Sequence, residues 1–321
     1  MRVAIVEPYL QSRTGHYCNM VSETEAGFRE LGHDVDIFIP RDSEITDLGQ
    51  RVIPYSLSGV MGMPVFRKIA RHLLYIHGLS GFLQKYIGDY DLCLMTTSDN
   101  WETLYAASRV RSHTPIYLYL HALVISQAKA RFLRPLVDLN FNRTTTPIIF
   151  LHPTSLDKDL FHKKITSAKL DLISDVPLPI VPLLPNDLRT LHTGGTSSDE
   201  ANFIISYMGD ARKEKGFPAV VQLVSECGEG CRFMIQCIPP AGGYEPGIPD
   251  AVNHLKAISE MQSNVTLIET PLLPDEFGKQ ISKSSIVLCL YDPESYSHRL
   301  SGILLESFSR GKPVIVVRGS S

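Results

Sequence analysis

Phe203-Ile204-Ile205-Ser206-Tyr207-Met208 runs straight into Gly209-Asp210-Ala211-Arg212-Lys213-Glu214-Lys215-Gly216, and Pro218 to Glu226 follows with helical spacing. An apolar run, a glycine-bounded polar loop and a helix, in that order, form the unit from which parallel α/β sheets are built. The loop falls where a strand hands over to a helix, and a helix N-terminus offers unpaired N–H groups and a partial positive charge that suit a phosphate. Later in the chain Ser301-Gly302-Ile303-Leu304-Leu305-Glu306, followed by Gly311-Lys312-Pro313, has the same character. With Arg212 and Lys215 beside the first of these termini and the Glu306 carboxylate inside the second, the pattern predicts a cradle for a nucleoside diphosphate.

The same alternation extends in both directions. Upstream, Val3 to Val6 reads as a strand, Met20 to Leu31 as a helix stopped by Gly32, and Val35 to Ile39 as the next strand. Arg51 to Leu57 (strand), Val65 to Tyr86 (helix), Leu92 to Met95 (strand), Glu102 to Val110 (helix), Ile116 to Leu120 (strand) and Ile148 to Leu151 (strand) continue it. Downstream, strands are expected at Phe233 to Ile238, Val265 to Ile268, Ile286 to Leu290 and Val314 to Val317. Between the two series Val176 to Pro185 holds four prolines in ten residues, which excludes a helix interior or a central strand. Gly194 to Ser198 is a loop by composition. The expected organisation is α/β with doubly wound parallel sheets: a first lobe at 1–175, a Pro-rich hinge and loop at 176–200, and a second lobe at 201–321. A helix normally covers the last parallel strand, so the second lobe reads as incomplete and the chain as a fragment or an unusually short form.

A length of 321 residues supports two cores. The formal net charge of -3 argues against a duplex binder, and no nucleic-acid partner is expected. No stretch approaches the roughly 18 uninterrupted apolar residues of a spanning helix, and no signal peptide opens the chain, so the expected location is the cytoplasm. Six cysteines (Cys18, Cys93, Cys227, Cys231, Cys237, Cys289) are scattered, four of them in apolar or element-like runs, as reduced buried thiols would be. Cys227, Cys231 and Cys237 cluster without zinc-ligand spacing, so neither a metal nor a cofactor is expected.

Arg13-Thr14-Gly15-His16, Leu31-Gly32-His33-Asp34-Val35, the strand-end His121 of Leu118-Tyr119-Leu120-His121, Gly209 to Gly216, and Glu306 with Gly311-Lys312-Pro313 together resemble the retaining glycosyltransferases of family 4. The resemblance implies the GT-B fold: two Rossmann-like lobes facing each other across a cleft, the nucleotide-sugar donor on the second and the acceptor on the first. It also implies that Arg212 and Lys215 neutralise the departing diphosphate, with Gly209, Ser301 and Gly302 at the phosphates and Glu306 on the ribose. Gly15, His16 and His121 would lie on the acceptor side, His121 in a catalytic role. The family's glutamate eight residues before Glu306 is replaced here by His298, which stands as a donor-binding candidate, with Glu294 and Arg299 nearby as candidate substitutes. The resemblance further implies metal-free transfer with retention and no dedicated protein base, a donor phosphate oxygen taking the acceptor proton.

The residues also have plainer readings. Arg212 to Lys215 reads equally as a solvated charge run, although the flanking strand and helix favour function. Glu306 lies where an acid is favoured by the helix dipole, and a lone His121 is more often a capping or packing residue. Gly15 permits a turn and a close approach that a Cβ would block. The Val65 to Tyr86 helix carries Arg67, Lys68, Arg71 and His72 among Phe66, Ile69, Ala70, Leu73, Leu74 and Ile76. It would suit peripheral contact with an anionic membrane bearing a lipid-linked acceptor, but burial of its apolar positions under a basic outer face is the favoured reading. The leading function is transfer of a sugar from a nucleotide-sugar to a glycan, lipid-linked or small-molecule acceptor. A nucleotide-sugar epimerase of the same architecture and a non-catalytic nucleotide-binding subunit of polysaccharide assembly are the alternatives. A nicotinamide dehydrogenase is disfavoured, since Glu7 to Arg13 stands where a dinucleotide-binding glycine fingerprint would be.

Overall fold

A computed structural model of the chain describes residues 1–13, 16–53, 65–121, 127–153, 159, 161–162, 165–168, 170–176, 203–240, 243–297, 299 and 301–320. Two compact units divide it, one built from the described residues up to 176 together with Arg299, and the other from 203–297 and 301–320. Apart from Val176, the expected hinge lies outside the described residues, as do Gly194 to Ser198, Gly15 and His298.

The first unit is one parallel sheet of seven strands: β1 (Arg2–Val6), β2 (Asp34–Pro40), β3 (Gln50–Ile53), β4 (Leu92–Met95), β5 (Ile116–Tyr119), β6 (Ile148–Leu151) and β7 (Asp171–Ile173). Their spatial order is β3-β2-β1-β4-β5-β6-β7, so the direction of winding reverses between β1 and β4. Helix α1 (His16–Glu30) ends as the glycine predicts: Gly32 takes φ 79°, and the N–H groups of Gly32 and His33 close back on Arg29 and Phe28. It covers one face with Val3, Ile5, Val21, Val35, Ile37 and Ile39. On the other face lie α2 (Val65–Tyr86), α3 (Trp101–Ser108) and α4 (Gln127–Arg143), with α3 packed between α2 and α4.

Helix α2 corrects an expectation. Tyr75, Ile76, Leu79, Phe82 and Leu83 are buried, but Phe66, Ile69, Leu73 and Leu74 are exposed. Only its second half therefore meets the core, and the apolar residues of its first half were wrongly assigned to burial.

The second unit is a parallel sheet of five strands, β8 (Ile204–Tyr207), β9 (Arg232–Gln236), β10 (Val265–Ile268), β11 (Ile286–Cys289) and β12 (Val314–Val316), in the order β10-β9-β8-β11-β12. Its helices are α5 (Phe217–Cys227), α6 (Ile248–Met261), α7 (Pro274–Lys283), α8 (Pro293–Tyr296) and α9 (Gly302–Ser309). Pro218, Pro274 and Pro293 each open a helix at a position where the missing N–H costs nothing. All six cysteines are free, Cys18, Cys93, Cys237 and Cys289 of them buried. Among the described residues no helix is long and apolar enough to cross a membrane.

Candidate functional site

In the second unit the strand order reverses between β8 and β11, and doubly wound sheets bind ligands beyond strand C-termini at such a point. The loop after β8 is held there by two glycines. Gly209 takes φ 117°, its N–H donates to Gln236 Oε1 at 2.8 Å, and a Cβ would stand 3.0 Å from Ile303 Cδ1 and 3.4 Å from Lys215 Nζ. Gly216 is the stricter position: at φ 74° a Cβ would lie 2.0 Å from the Leu290 carbonyl oxygen, so only glycine lets the loop meet the end of β11. A bond of 2.8 Å from the Asp292 N–H to the Glu214 carbonyl fastens the same two segments.

Between these glycines the charged side chains turn toward one another. Asp210 is ion-paired with both Arg212 and Lys215, while Glu214 Oε1 takes Arg212 Nη1 at 3.2 Å. The solvated-loop reading is thereby excluded, because the Lys215 side chain is only 15% exposed and that of Asp210 14%. Burial pushes the Asp210 carboxyl up, but Lys215 and Arg212 outweigh it and hold its pKa below the ordinary value. For Lys215 burial prevails and pulls the ammonium down, opposed by Asp210. Burial also works against Arg212, and there Asp210 and Glu214 win and raise it.

The first turn of α9 borders this loop through Ile303. Ser301 caps the helix, its Oγ accepting from the Leu304 N–H at 3.2 Å and lying 2.9 Å from Tyr291 Oη, so the hydroxyl is engaged with the protein itself. Gly302 is exposed, with open space where a Cβ would be. Glu306 is paired along the helix with Arg310 at 3.3 Å. Burial pushes the Glu306 carboxyl up against the pull of that guanidinium. Arg310 in turn lies over Gly278 of α7, where a Cβ would fall 2.3 Å from Nη2. Arg299 is half-buried. A surface groove lined by Val221, Ser225, Ala251 and His254 lies between α5 and α6, away from the strand ends, and has no part in this arrangement.

In the first unit the reversal point between β1 and β4 carries a different network. Glu7, directly after β1, is fully buried and accepts the Tyr9 N–H at 2.9 Å, Thr96 Oγ1 at 2.7 Å and Thr97 Oγ1 at 2.6 Å. Burial raises its pKa against the combined opposition of these donors and of His121. His121, following β5, donates its N–H to Asp99 Oδ1 at 2.6 Å. Its Nε2 lies 2.9 Å from the Thr96 carbonyl oxygen and 3.4 Å from Thr97 Oγ1. A carbonyl only accepts, so Nε2 carries a proton and the neutral ring is the Nε2–H tautomer. The ring sits between Tyr17 and Tyr119, at centroid distances of 6.5 and 5.1 Å. His16 opens α1, but its side chain lies outside the described residues.

The structure thus brings Gly209, Arg212, Lys215 and the start of α9 together, and places His121 at the other unit's reversal point. Sequence reasoning missed Asp210, Glu7, Thr96, Thr97 and Asp99. Asp210 had a signal: an acid inside a loop valued for its cations. Glu7 had one too, a carboxylate directly ending an apolar strand.

No protein-family model and no curated protein matches the sequence. Solved structures do match in fold, each over 100% of this chain. Sucrose-phosphate synthase from Thermosynechococcus elongatus aligns over 82% of its own length with a TM-score of 0.61 at 14% identity. HepE from Anabaena in complex with UDP-glucose aligns over 81% with 0.57 at 13%, and the trehalose-6-phosphate synthase OtsA over 85% with 0.63 at 10%. The fold is therefore that of the GT-B proteins, with two Rossmann-like units of parallel sheet, as expected.

Proposed function

We propose that this chain is a glycosyltransferase that takes a sugar from a nucleotide-sugar donor. The observation that carries the reading is the convergence of Arg212 and Lys215, between Gly209 and Gly216, at the reversal point of the second sheet. A leaving diphosphate gains charge as the glycosidic bond breaks, so cations placed there bind the transition state more strongly than the ground state. Asp210 holds the two cations side by side before the donor arrives. Guanidinium and ammonium have five and three donors respectively, so an entering phosphate shares or displaces the carboxylate without reorienting either side chain. Gly302 leaves the α9 N-terminus open to a second phosphate, and Glu306 accepts from the ribose once Arg310 yields. The acceptor belongs to the first unit, where the hydrogen bonds of Glu7, Thr96, Thr97 and Asp99 fix His121. Transfer proceeds with retention and without a metal, a donor phosphate oxygen taking the acceptor proton. HepE is described in complex with UDP-glucose, which makes a UDP-sugar the first donor to test.

UDP should raise the melting temperature of the protein, because a ligand bound only by the folded state stabilises it by mass action. Arg212→Ala and Lys215→Ala should each lower UDP release from UDP-glucose by about 100-fold or more while circular dichroism stays native. Full turnover in the double variant overturns the assignment.

A further inference from the structure

Arg310 closes α9 at its C-terminal cap, and its guanidinium turns back along the helix to Glu306, one turn earlier. A cation at this end complements the helix dipole, which is the plain reading of the residue. Its burial is not explained that way. Only 9% of the side chain is exposed, against 15% for Glu306, and a buried charge is costly where methionine or leucine would fill the same space. Gly278 of α7 makes the room: a Cβ there would stand 2.3 Å from Nη2, 3.1 Å from Cζ and 3.2 Å from Nε.

The pair is also incomplete. Nη2 and Oε1 are 3.3 Å apart, close enough for an ion pair, yet Glu306 Oε1 and Arg310 Nη1 have no hydrogen-bond partner among the described residues. Two buried polar atoms left open on facing side chains call for a reason, since such groups are nearly always satisfied. An acceptor kept open beside a fixed positive charge suits a hydroxyl donor that arrives from outside. Of the elements packed on α9, β11 brings only Cys289, β12 brings no titratable group, and α7 brings Asp275, Glu276, Lys279 and Lys283. Burial raises the Glu306 pKa, and among the described residues Arg310 is the charge that opposes it. We propose that Arg310, seated on Gly278, is a positioning residue that holds Glu306 ionised with one oxygen open for the ribose hydroxyls of the donor nucleotide. This rests on the donor site proposed above. As the ribose binds, Arg310 yields its place at Oε1 to a hydroxyl without a hydrogen bond being broken.

Calorimetric Kd values for UDP and 2′,3′-dideoxy-UDP, compared at about pH 6 and 8, test it. The two ligands share base and diphosphate, so the ratio of their Kd values isolates the ribose contact. A hydrogen bond to a charged group should make that ratio about tenfold in the wild type at both pH values. In Arg310→Met burial acts on Glu306 unopposed and its carboxyl takes a proton as pH falls. The ratio should then drop to about twofold at the lower pH, while most of it survives at the higher. Arg310→Lys keeps the charge and should keep the wild-type ratio at both. Gly278→Ala pushes the guanidinium aside and should lower the ratio in the same direction as Arg310→Met. Its fold should be kept, because the atom it meets is the end of a flexible side chain. An undiminished ratio at both pH values in Arg310→Met and Gly278→Ala overturns the inference and leaves the donor site standing. A ratio near one in the wild type, or no binding of UDP at all, removes the role of Glu306 or the donor site itself, and the inference falls with it.

Discussion

Glu7 and Asp210 occupy matching places in the two units, each just past the C-terminal end of the strand at its sheet's reversal point, yet they are satisfied in opposite ways. Glu7 is enclosed by neutral donors, two threonine hydroxyls and a backbone N–H, and burial raises its pKa. Asp210 is met by two full positive charges that overcome burial and lower its pKa. The difference teaches what each site is ready to do. Dipoles that converge on a carboxylate fix geometry but leave no cation for a ligand. Cations that converge on one hold charge that an anionic ligand can claim. The first unit's network leads to His121, and the second's holds two cations side by side.

The hardest test of that contrast is Asp210→Asn. Leaving two partly buried cations with a neutral partner should cost about 2–3 kcal/mol of stability in urea unfolding. UDP should return much of it, so the ligand-induced rise in melting temperature should exceed that of the wild type. A smaller rise would mean that the carboxylate helps to bind the nucleotide, and the role of internal counterion would be lost. Glu7→Gln should cost less, about 1–2 kcal/mol, because the amide keeps the shape and one acceptor oxygen while its NH2 faces donors. UDP should not restore it.

Acidity separates the two sites by sign. Asp210 titrates below its ordinary value, so its stabilisation is present above the ordinary carboxylate range and is lost as pH falls through the depressed value. Glu7 titrates above its ordinary value, so its contribution is full below that value and is lost as pH rises through the raised one. Urea unfolding at several pH values from about 3 to 7 should show the wild-type advantage over Asp210→Asn shrinking on acidification. The advantage over Glu7→Gln should grow. Slopes of the same sign would erase the distinction between the two carboxylates.

Much of the fold was legible because the chain alternates short apolar runs with helical spacing, and because glycines and prolines punctuate the boundaries. Gly32, Gly216 and Pro218 do in space what their chemistry requires. The strand β7, at Asp171–Ile173, was not legible: it is short, lies at the sheet edge and is half-exposed, so it lacks the apolar run that marks a central strand. Helices α4, α6 and α7 have no counterpart in the sequence reading, although the strands that flank them do. At the site, Arg212 and Lys215 could be singled out by their loop, but their common partner could not, since pairing across the loop depends on how Gly209 and Gly216 bend it. Glu7 reaches Thr96 and Thr97 across some ninety positions, as the hydrogen bonds show, a separation that no local pattern spans. The face of α2 was misjudged for a related reason: helical periodicity gives a stripe, but not whether a core lies under it.

The smallest expected effect is also the most discriminating about Glu7. Thr97→Val keeps the side-chain shape and removes one of three donors to the carboxylate, leaving Thr96 and the Tyr9 N–H in place. With the compensation shared among several dipoles, the loss should be about 1 kcal/mol. Asp210 has two cationic partners among the described residues, and Lys215→Met should cost about twice as much by the same measure. His121 should keep its tautomer, because the Thr96 carbonyl still accepts from Nε2 after the Thr97 hydroxyl is gone. Imidazole nitrogen chemical shifts read this directly. A switch to the Nδ1–H form in Thr97→Val would show that the Glu7–Thr97 pair, rather than the backbone of β4's end, holds the ring, and would make Glu7 as decisive for His121 as Asp210 is for Arg212 and Lys215.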